Sequence, residues 1–126
     1  MKNIVWTRID DRLVHGQVMT LWVQQTSATE VVIVDDAVAK DAFIQMIMKS
    51  SMPARINLKV FGLADAVDYL NGEDDGKRVL ILVKTPGTLV SLTDAGIPLE
   101  SVNVGGIGAT AARKTLYKNI TTREGE

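Results

Sequence analysis

Short runs of branched apolar residues alternate with stretches of helical periodicity, and this alternation restricts the fold more than any other feature of the sequence. Two of the runs, EVVIV and RVLILV, are almost continuously apolar, which is typical of strands covered on both faces. The pattern predicts strands at Asn3–Ile9, Glu30–Val34, Ile56–Phe61, Arg78–Val83 and Ser101–Val104, with a further short strand at Leu116–Ile120.

Apolar stripes at helical spacing separate these runs. Each stripe places its apolar residues on one face of a helix, so we predict a helix between each pair of successive strands. The predicted core-facing residues are Val14, Val18, Leu21 and Trp22; Phe43, Ile44, Ile47 and Met48; Leu63, Ala66, Val67 and Leu70; and, more weakly, Leu89, Leu92 and Thr93. A strand followed by a crossover, repeated along the chain, predicts an α/β fold with a single open, mainly parallel sheet and helices on both faces. We expect residues 1–126 to form one domain.

Composition excludes several classes of function. The formal net charge of −1 gives no basis for nucleic-acid binding, and the absence of cysteine excludes a disulfide scaffold and thiol catalysis. With one histidine and no cysteine we expect no catalytic metal site and no cofactor. The first residues lack the pattern of a signal peptide, and no apolar run approaches the ~18 residues that span a bilayer. We therefore expect a cytoplasmic protein that reaches a membrane only through partners.

The loop that follows the first predicted strand concentrates chemistry. Ligands of open parallel sheets bind outside the carboxyl ends of the strands, where this loop, RIDDRLVHGQ, is expected to lie. A phosphoryl group is held by the free N–H groups of a helix N-terminus and by the planar donors of arginine, and a neutral imidazole can attack phosphorus. The candidate site residues are the nucleophile His15, phosphate ligands Arg8, Arg12, Gly16 and Gln17, and supporting carboxylates Asp10 and Asp11.

Structural interpretations stand beside this one. A lone histidine is more often a surface or structural residue than a nucleophile, and Arg8 could equally pair with Asp10. The adjacent pair Asp35–Asp36 after the second strand could bind a metal or a sugar, but Asp36 better suits the N-cap of a helix from Ala37. The loop Gly105–Gly108 lacks the spacing of a phosphate-binding motif, so we interpret it as a turn in the wall of the site.

The stretch TRIDDRLVHGQV resembles the IIB components of the mannose/sorbose class of the bacterial phosphoenolpyruvate-dependent sugar phosphotransferase system. The resemblance continues through Trp22, VVIVDDAVAKD, RVLILVKTP, AGIPLESVNVGG and KTLYKNI. It implies that His15 is phosphorylated by the phosphohistidine of a IIA protein and passes the group to a sugar imported through membrane IIC and IID components. It also implies that Arg12 helps to hold the phosphoryl group. Asp10, Asp11 and Gly16 fall on matching motif positions, and the loops carrying Asp35 and Gly105 are expected to face the same site.

One departure from the family concerns the C-terminus. Family members usually continue past the stretch matching Ile120 with another helix and a final strand, so we expect a domain shortened at that end. An exposed edge strand there would favour a homo-oligomer. Two other classes stay open from the residues alone. One is a regulatory module that binds an anion at the same edge, and the other is a nucleotide-binding α/β enzyme, which the missing phosphate-loop patterns disfavour.

Overall fold

A computed structural model describes residues 1–14, 18–99 and 101–105 of the chain. The elements alternate as the sequence pattern predicts. The strands and helices are β1 (Asn3–Ile9), α1 (Val18–Thr26), β2 (Glu30–Val34), α2 (Asp36–Ala39), α3 (Ala42–Ser50), β3 (Asn57–Phe61), α4 (Leu63–Leu70), β4 (Arg78–Val83), α5 (Pro86–Asp94) and β5 (Asn103–Val104).

The strands of the described ranges form one sheet in the order β3-β2-β4-β1-β5, and every neighbouring pair is parallel. The predicted fold, an open parallel α/β sheet, is confirmed. The third strand starts one residue later than predicted, at Asn57, and β5 is confined to Asn103–Val104. The strand predicted at Leu116–Ile120 lies outside the described residues.

Two apolar layers cover the two faces of the sheet, as continuously apolar strands require. In β2, Val32 and Val34 point into the layer beneath α4 and α5, whereas Val31 and Ile33 point into the layer beneath α1, α2 and α3. Strand β4 divides its residues in the same way, and Val79–Val83 is buried throughout. Helices therefore lie on both faces, as predicted. Of the helices that lie within the described ranges, none combines the length and the apolarity that crossing a bilayer requires.

The apolar stripe predicted on the second helical segment, which includes α3, is wrong in its orientation. Only Met48 of that stripe is buried, while Phe43, Ile44 and Ile47 are 58%, 42% and 50% exposed. The segment forms two helices rather than one, and Val38 of the short α2 already covers part of the same core layer as Met48. Little sheet surface is left for the remaining side chains of α3. In α1, likewise, Leu21 is exposed and the core positions are taken by Met19 and Val23 beside Trp22.

The helix caps after β2 differ by one residue from the prediction. Asp35, not Asp36, is the N-cap of α2, and its Oδ1 accepts a hydrogen bond from the Val38 N–H at 2.9 Å. Asp36 instead accepts one from the Leu63 N–H at 2.8 Å, at the start of α4. Both carboxylates therefore fix helix starts at the carboxyl edge of the sheet.

A buried charge lies at the opposite, amino-terminal edge. Glu30 is fully buried; its Oε1 accepts a hydrogen bond from the Tyr69 hydroxyl, and its Oε2 lies 3.2 Å from Lys77 Nζ. Burial, followed by the contact with Glu30, raises the pKa of Tyr69 above its ordinary value of 10.0. The cluster ties together the start of β2, helix α4 and the approach to β4.

Candidate functional site

The loop after β1 is anchored to the sheet by its backbone. The Asp10 N–H donates to the Val83 carbonyl at 3.0 Å, and the Leu13 N–H donates back to the Asp10 carbonyl at 2.9 Å, which closes a tight turn. Leu13 adopts a positive φ of 55°, and Leu13 and Val14 are buried in the layer beneath α1. The chain is thus held in a defined path up to the residue before His15.

Asp10 is the central acceptor of this loop. Its side chain is fully buried, and Oδ1 accepts hydrogen bonds from the backbone N–H and the Nε of Arg12, both at 3.1 Å. Oδ2 accepts from Arg12 Nη2 at 3.3 Å and lies 3.5 Å from Arg8 Nη2. A buried carboxylate is tolerated only with donors and opposite charge close by, and the two arginines supply both.

Arg12 is held on one side and exposed on the other. Its side chain is 60% exposed, and the Asp10 carboxylate engages the Nε and Nη2 donors. The hydrogen bond with Asp10 is the main cause that raises the pKa of Arg12 above its ordinary value, so the guanidinium stays charged. Nη1 of Arg12 takes part in none of the contacts with Asp10. This side of the guanidinium can donate to an anion in the planar, two-point manner characteristic of arginine.

Arg8 lies behind the loop rather than on its surface. Its side chain is 16% exposed, and its guanidinium carbon lies 4.4 Å from the centre of the Trp22 ring. Nη1 donates to Asn103 Oδ1 at 3.4 Å, and Nη2 faces Asp10. The alternative interpretation, that Arg8 pairs with Asp10, is therefore what the structure shows. A role for Arg8 as a phosphate ligand stays a prediction.

Gly105 packs directly against this cluster. Its N–H donates to the Ile9 carbonyl at 2.6 Å, which brings the backbone after β5 beside the end of β1. A Cβ at this position would lie 2.5 Å from Arg8 Nη2 and 2.6 Å from Asp10 Oδ2. Only glycine fits here without displacing the two charged groups.

The predicted site residues fall into three groups. The structure brings Arg8, Asp10, Arg12 and Gly105 together, with Asp11 exposed beside them. It places Asp35 on the same edge but after β2, on the far side of β4 from β1. Predicted residues His15, Gly16, Gln17 and the loop after Gly105 lie outside the described residues.

Sequence reasoning missed two contacts of the cluster, those of Trp22 and Asn103 with Arg8. Trp22 was assigned to the helix core, where it does lie, and nothing in its spacing indicated that its ring also stacks on a cation. Asn103 precedes the glycine pair in VNVGG, and this proximity is the signal that could have drawn attention to it.

In the described part of the chain, no group of three or more histidine, cysteine, aspartate or glutamate side chains is placed to hold a metal ion. The described residues of this loop offer a buried carboxylate, an exposed guanidinium and the end of a parallel strand, in an α/β protein whose class of fold binds ligands at this carboxyl edge.

Comparison with known proteins gives the family. The family profile described as PTS system sorbose subfamily IIB component matches residues 4–126. The fructose-specific EIIB component of Bacillus subtilis (strain 168) is 31% identical over 125 residues, covering 98% of this chain and 77% of that protein. The mannose-specific EIIAB component of Escherichia coli (strain K12) is 36% identical over 118 residues, covering 93% of this chain and 36% of that protein.

Solved structures agree with the sequence relatives. The crystal structure of manxB from Thermoanaerobacter tengcongensis superposes with a TM-score of 0.80 at 36% identity, covering 87% of this chain and 67% of that one. The chain belongs to the sorbose subfamily of IIB components of the phosphotransferase system. It is thus a transferase component that takes part in phosphoryl transfer in a sugar phosphotransferase system.

Proposed function

We propose that His15 accepts a phosphoryl group from the phosphohistidine of a IIA protein and passes it to a sugar that enters through membrane IIC and IID components. The observation that carries this proposal is the exposed guanidinium of Arg12, which lies three residues before the sole histidine and is fixed by the buried Asp10. The fused EIIAB relative supports a IIA donor, because its name joins the two components in one chain.

The first transfer exchanges one P–N bond for another. A neutral imidazole nitrogen of His15 attacks phosphorus as the bond to the donor imidazole breaks, and the proton displaced from His15 is balanced by the N–H formed on the donor. In the second transfer a sugar hydroxyl oxygen attacks the phosphorus, the bond to His15 breaks, and the hydroxyl proton is balanced by the imidazole N–H. Positioning and charge stabilisation do most of the work in such loose transition states.

Arg12 supplies that stabilisation in the proposed mechanism. Charge builds on the equatorial phosphoryl oxygens, and a guanidinium already fixed by Asp10 meets it without a further loss of side-chain entropy. Asp10 acts through Arg12 and is a positioning residue.

Since donor and acceptor must reach His15 in turn, an exposed loop at the sheet edge suits the task better than a deep cleft. We place the protein in the cytoplasm, at the inner membrane face through its partners.

A labelling experiment tests the proposal. The protein is incubated with labelled phosphoenolpyruvate, the general phosphotransferase proteins and a cognate IIA, and the product is tested for acid-labile, alkali-stable phosphate. We expect such a label on the wild-type chain and none on His15→Ala. Label that persists on the folded His15→Ala variant would place the chemistry on another residue. Absence of any covalent label on wild type would favour a module that only binds anions.

A further inference from the structure

The indole of Trp22 connects helix α1 to the charged groups behind the loop after β1. Trp22 is 5% exposed and belongs to the apolar layer beneath α1, yet its ring centre lies 4.4 Å from the guanidinium carbon of Arg8. The ring of Trp6 lies 5.9 Å from both the Trp22 ring and the Arg8 guanidinium carbon. A cation over an indole face is attracted by the ring, and the attraction is larger where water is excluded.

The polar contacts of Arg8 are long ones. Nη1 donates to Asn103 Oδ1 at 3.4 Å, and Nη2 lies 3.5 Å from Asp10 Oδ2. Nε is buried and has no hydrogen-bond partner among the residues that the structure describes. Of the described contacts, the one with the indole is therefore best suited to fix the plane of the Arg8 guanidinium.

The plane of that guanidinium matters because Arg8 and Arg12 contact the same carboxylate. Asp10 Oδ1 accepts from the backbone N–H and Nε of Arg12, whereas Oδ2 accepts from Arg12 Nη2 and also faces Arg8. A fully buried carboxylate depends on opposite charge to stay in place. If Arg8 tilted away, Asp10 could rotate about its terminal torsion, and its two-point contact with Arg12 would loosen.

We propose that Trp22 is a positioning residue for phosphoryl transfer. Its indole holds Arg8 against Asp10, and Asp10 in turn holds the guanidinium of Arg12. Trp22 offers almost no surface to a docking protein, because only 5% of it is exposed. The consequence for transfer rests on the proposed function, whereas the consequence for the Asp10–Arg12 contact does not.

The Arg12 Nε–H reports the contact with Asp10 without any phosphorylation. Its exchange with water is measured by NMR on the unphosphorylated, ¹⁵N-arginine-labelled chain. We expect Trp22→Leu, which removes the aromatic face, to speed this exchange about tenfold or more, and Trp22→Phe, which keeps one, to stay within about threefold. The matched control Val23→Ala removes buried methyl groups from the same helix and the same layer, and should exchange as wild type does.

Single-turnover transfer from phosphorylated IIA, measured over a range of IIA concentrations, tests the consequence for the reaction. Trp22→Leu should lower the rate constant at saturation about tenfold and leave the half-saturating concentration within about twofold, because the buried ring is not a docking surface. Val23→Ala should change neither by more than about twofold. In an Arg8→Gln background, Trp22→Leu should cause no further loss, since Trp22 acts through Arg8.

Equal effects of Trp22→Leu and Val23→Ala, or a full loss from Trp22→Leu in the Arg8→Gln background, would overturn the positioning role. In wild type the Arg8 side-chain protons should be shifted upfield by the ring current of the indole. Their absence from that region would overturn the proposal even if Trp22→Leu fails to fold. Faster Arg12 exchange in Trp22→Leu, with no transfer by wild type, would refute only the proposed function. Transfer by wild type with unchanged exchange in Trp22→Leu would refute the positioning role alone.

Discussion

At the scale of single residues, the position of the Arg12 guanidinium depends on which of two adjacent carboxylates is buried. The pattern RIDDR shows that charges cluster after the first strand, but it does not distinguish Asp10 from Asp11. The distinction comes from the turn, where the Asp10 backbone bonds to both Val83 and Leu13 and its side chain points inwards, while Asp11 is exposed. Such a turn depends on the neighbouring strand β4, which lies far away in the sequence. The charges of the site, and the Arg8–Asp10 pair as an alternative, could be predicted from sequence, whereas the burial of Asp10 and its bonds to Arg12 could not.

The first prediction compares the two carboxylates by the same substitution. Asp10→Asn removes the charge that fixes Arg12. Because hydrogen bonds to a charged group are stronger than those to a neutral one, the variant holds the guanidinium less firmly, and transfer to His15 should slow about tenfold or more. Asp11→Asn should stay within about twofold of wild type, because its side chain is exposed. Single-turnover transfer from phosphorylated IIA gives the rates, and circular dichroism checks the fold. Equal rates in the two folded variants would contradict the positioning role of Asp10.

At the scale of elements, the sequence predicts strands better than helix orientations. Almost continuously apolar runs such as Glu30–Val34 and Arg78–Val83 are typical of strands buried on both faces, and both have the predicted bounds. The stripe on α3 shows the limit of periodicity. Several of its residues are apolar, so the pattern cannot tell which turn of the helix contacts the sheet. That depends on how much of the layer α2 has already covered through Val38.

Two methionines on α3 provide a matched test of that orientation. Met48 is 4% exposed and Met46 is 65% exposed, so the same truncation has different consequences. Met48→Ala should lower the free energy of unfolding by about 2–4 kcal/mol, because it leaves a cavity in the layer beneath α1 and α3. Met46→Ala should change it by about 0.5 kcal/mol or less. Urea denaturation monitored by circular dichroism measures both, and a cost for Met46→Ala equal to that of Met48→Ala would show that α3 is rotated from the orientation described.

At the scale of the whole molecule, the two edges of one sheet carry different clusters of charged residues. The carboxyl edge carries the Asp10–Arg12 loop, while the amino edge carries the buried Glu30 with Tyr69 and Lys77. Sequence alternation predicts the parallel sheet, but it does not predict the order β3-β2-β4-β1-β5, because pairing between distant strands leaves no local signal. Nor does it predict that a charged residue opening an apolar strand is fully buried.

The amino-edge cluster predicts an alkaline loss of stability. Folding raises the pKa of Tyr69 above its ordinary value of 10.0. The contribution of Tyr69 to the free energy of unfolding is therefore fully present below pH 10.0. It is lost as the pH rises beyond that value, because the hydroxyl then ionises more readily in the unfolded chain. Tyr69→Phe should lower the free energy of unfolding at neutral pH by about 1 kcal/mol. Thermal unfolding followed from neutral pH to above pH 10.0 should show the wild-type Tm approaching that of Tyr69→Phe. A gap that stays constant with pH would mean that folding does not raise the pKa of Tyr69.

In the proposed function a single imidazole, that of His15, carries the phosphoryl group, and the chain contains only one histidine. The protein is labelled with ¹⁵N-histidine and phosphorylated by phosphoenolpyruvate, the general proteins and IIA, and its ring nitrogens are followed by NMR alongside the intact mass. We predict that the mass rises by one phosphoryl group and that one ring nitrogen of His15 gains coupling to phosphorus. A mass rise with both imidazole nitrogens unchanged would contradict the account, since the phosphoryl group would then lie on another residue.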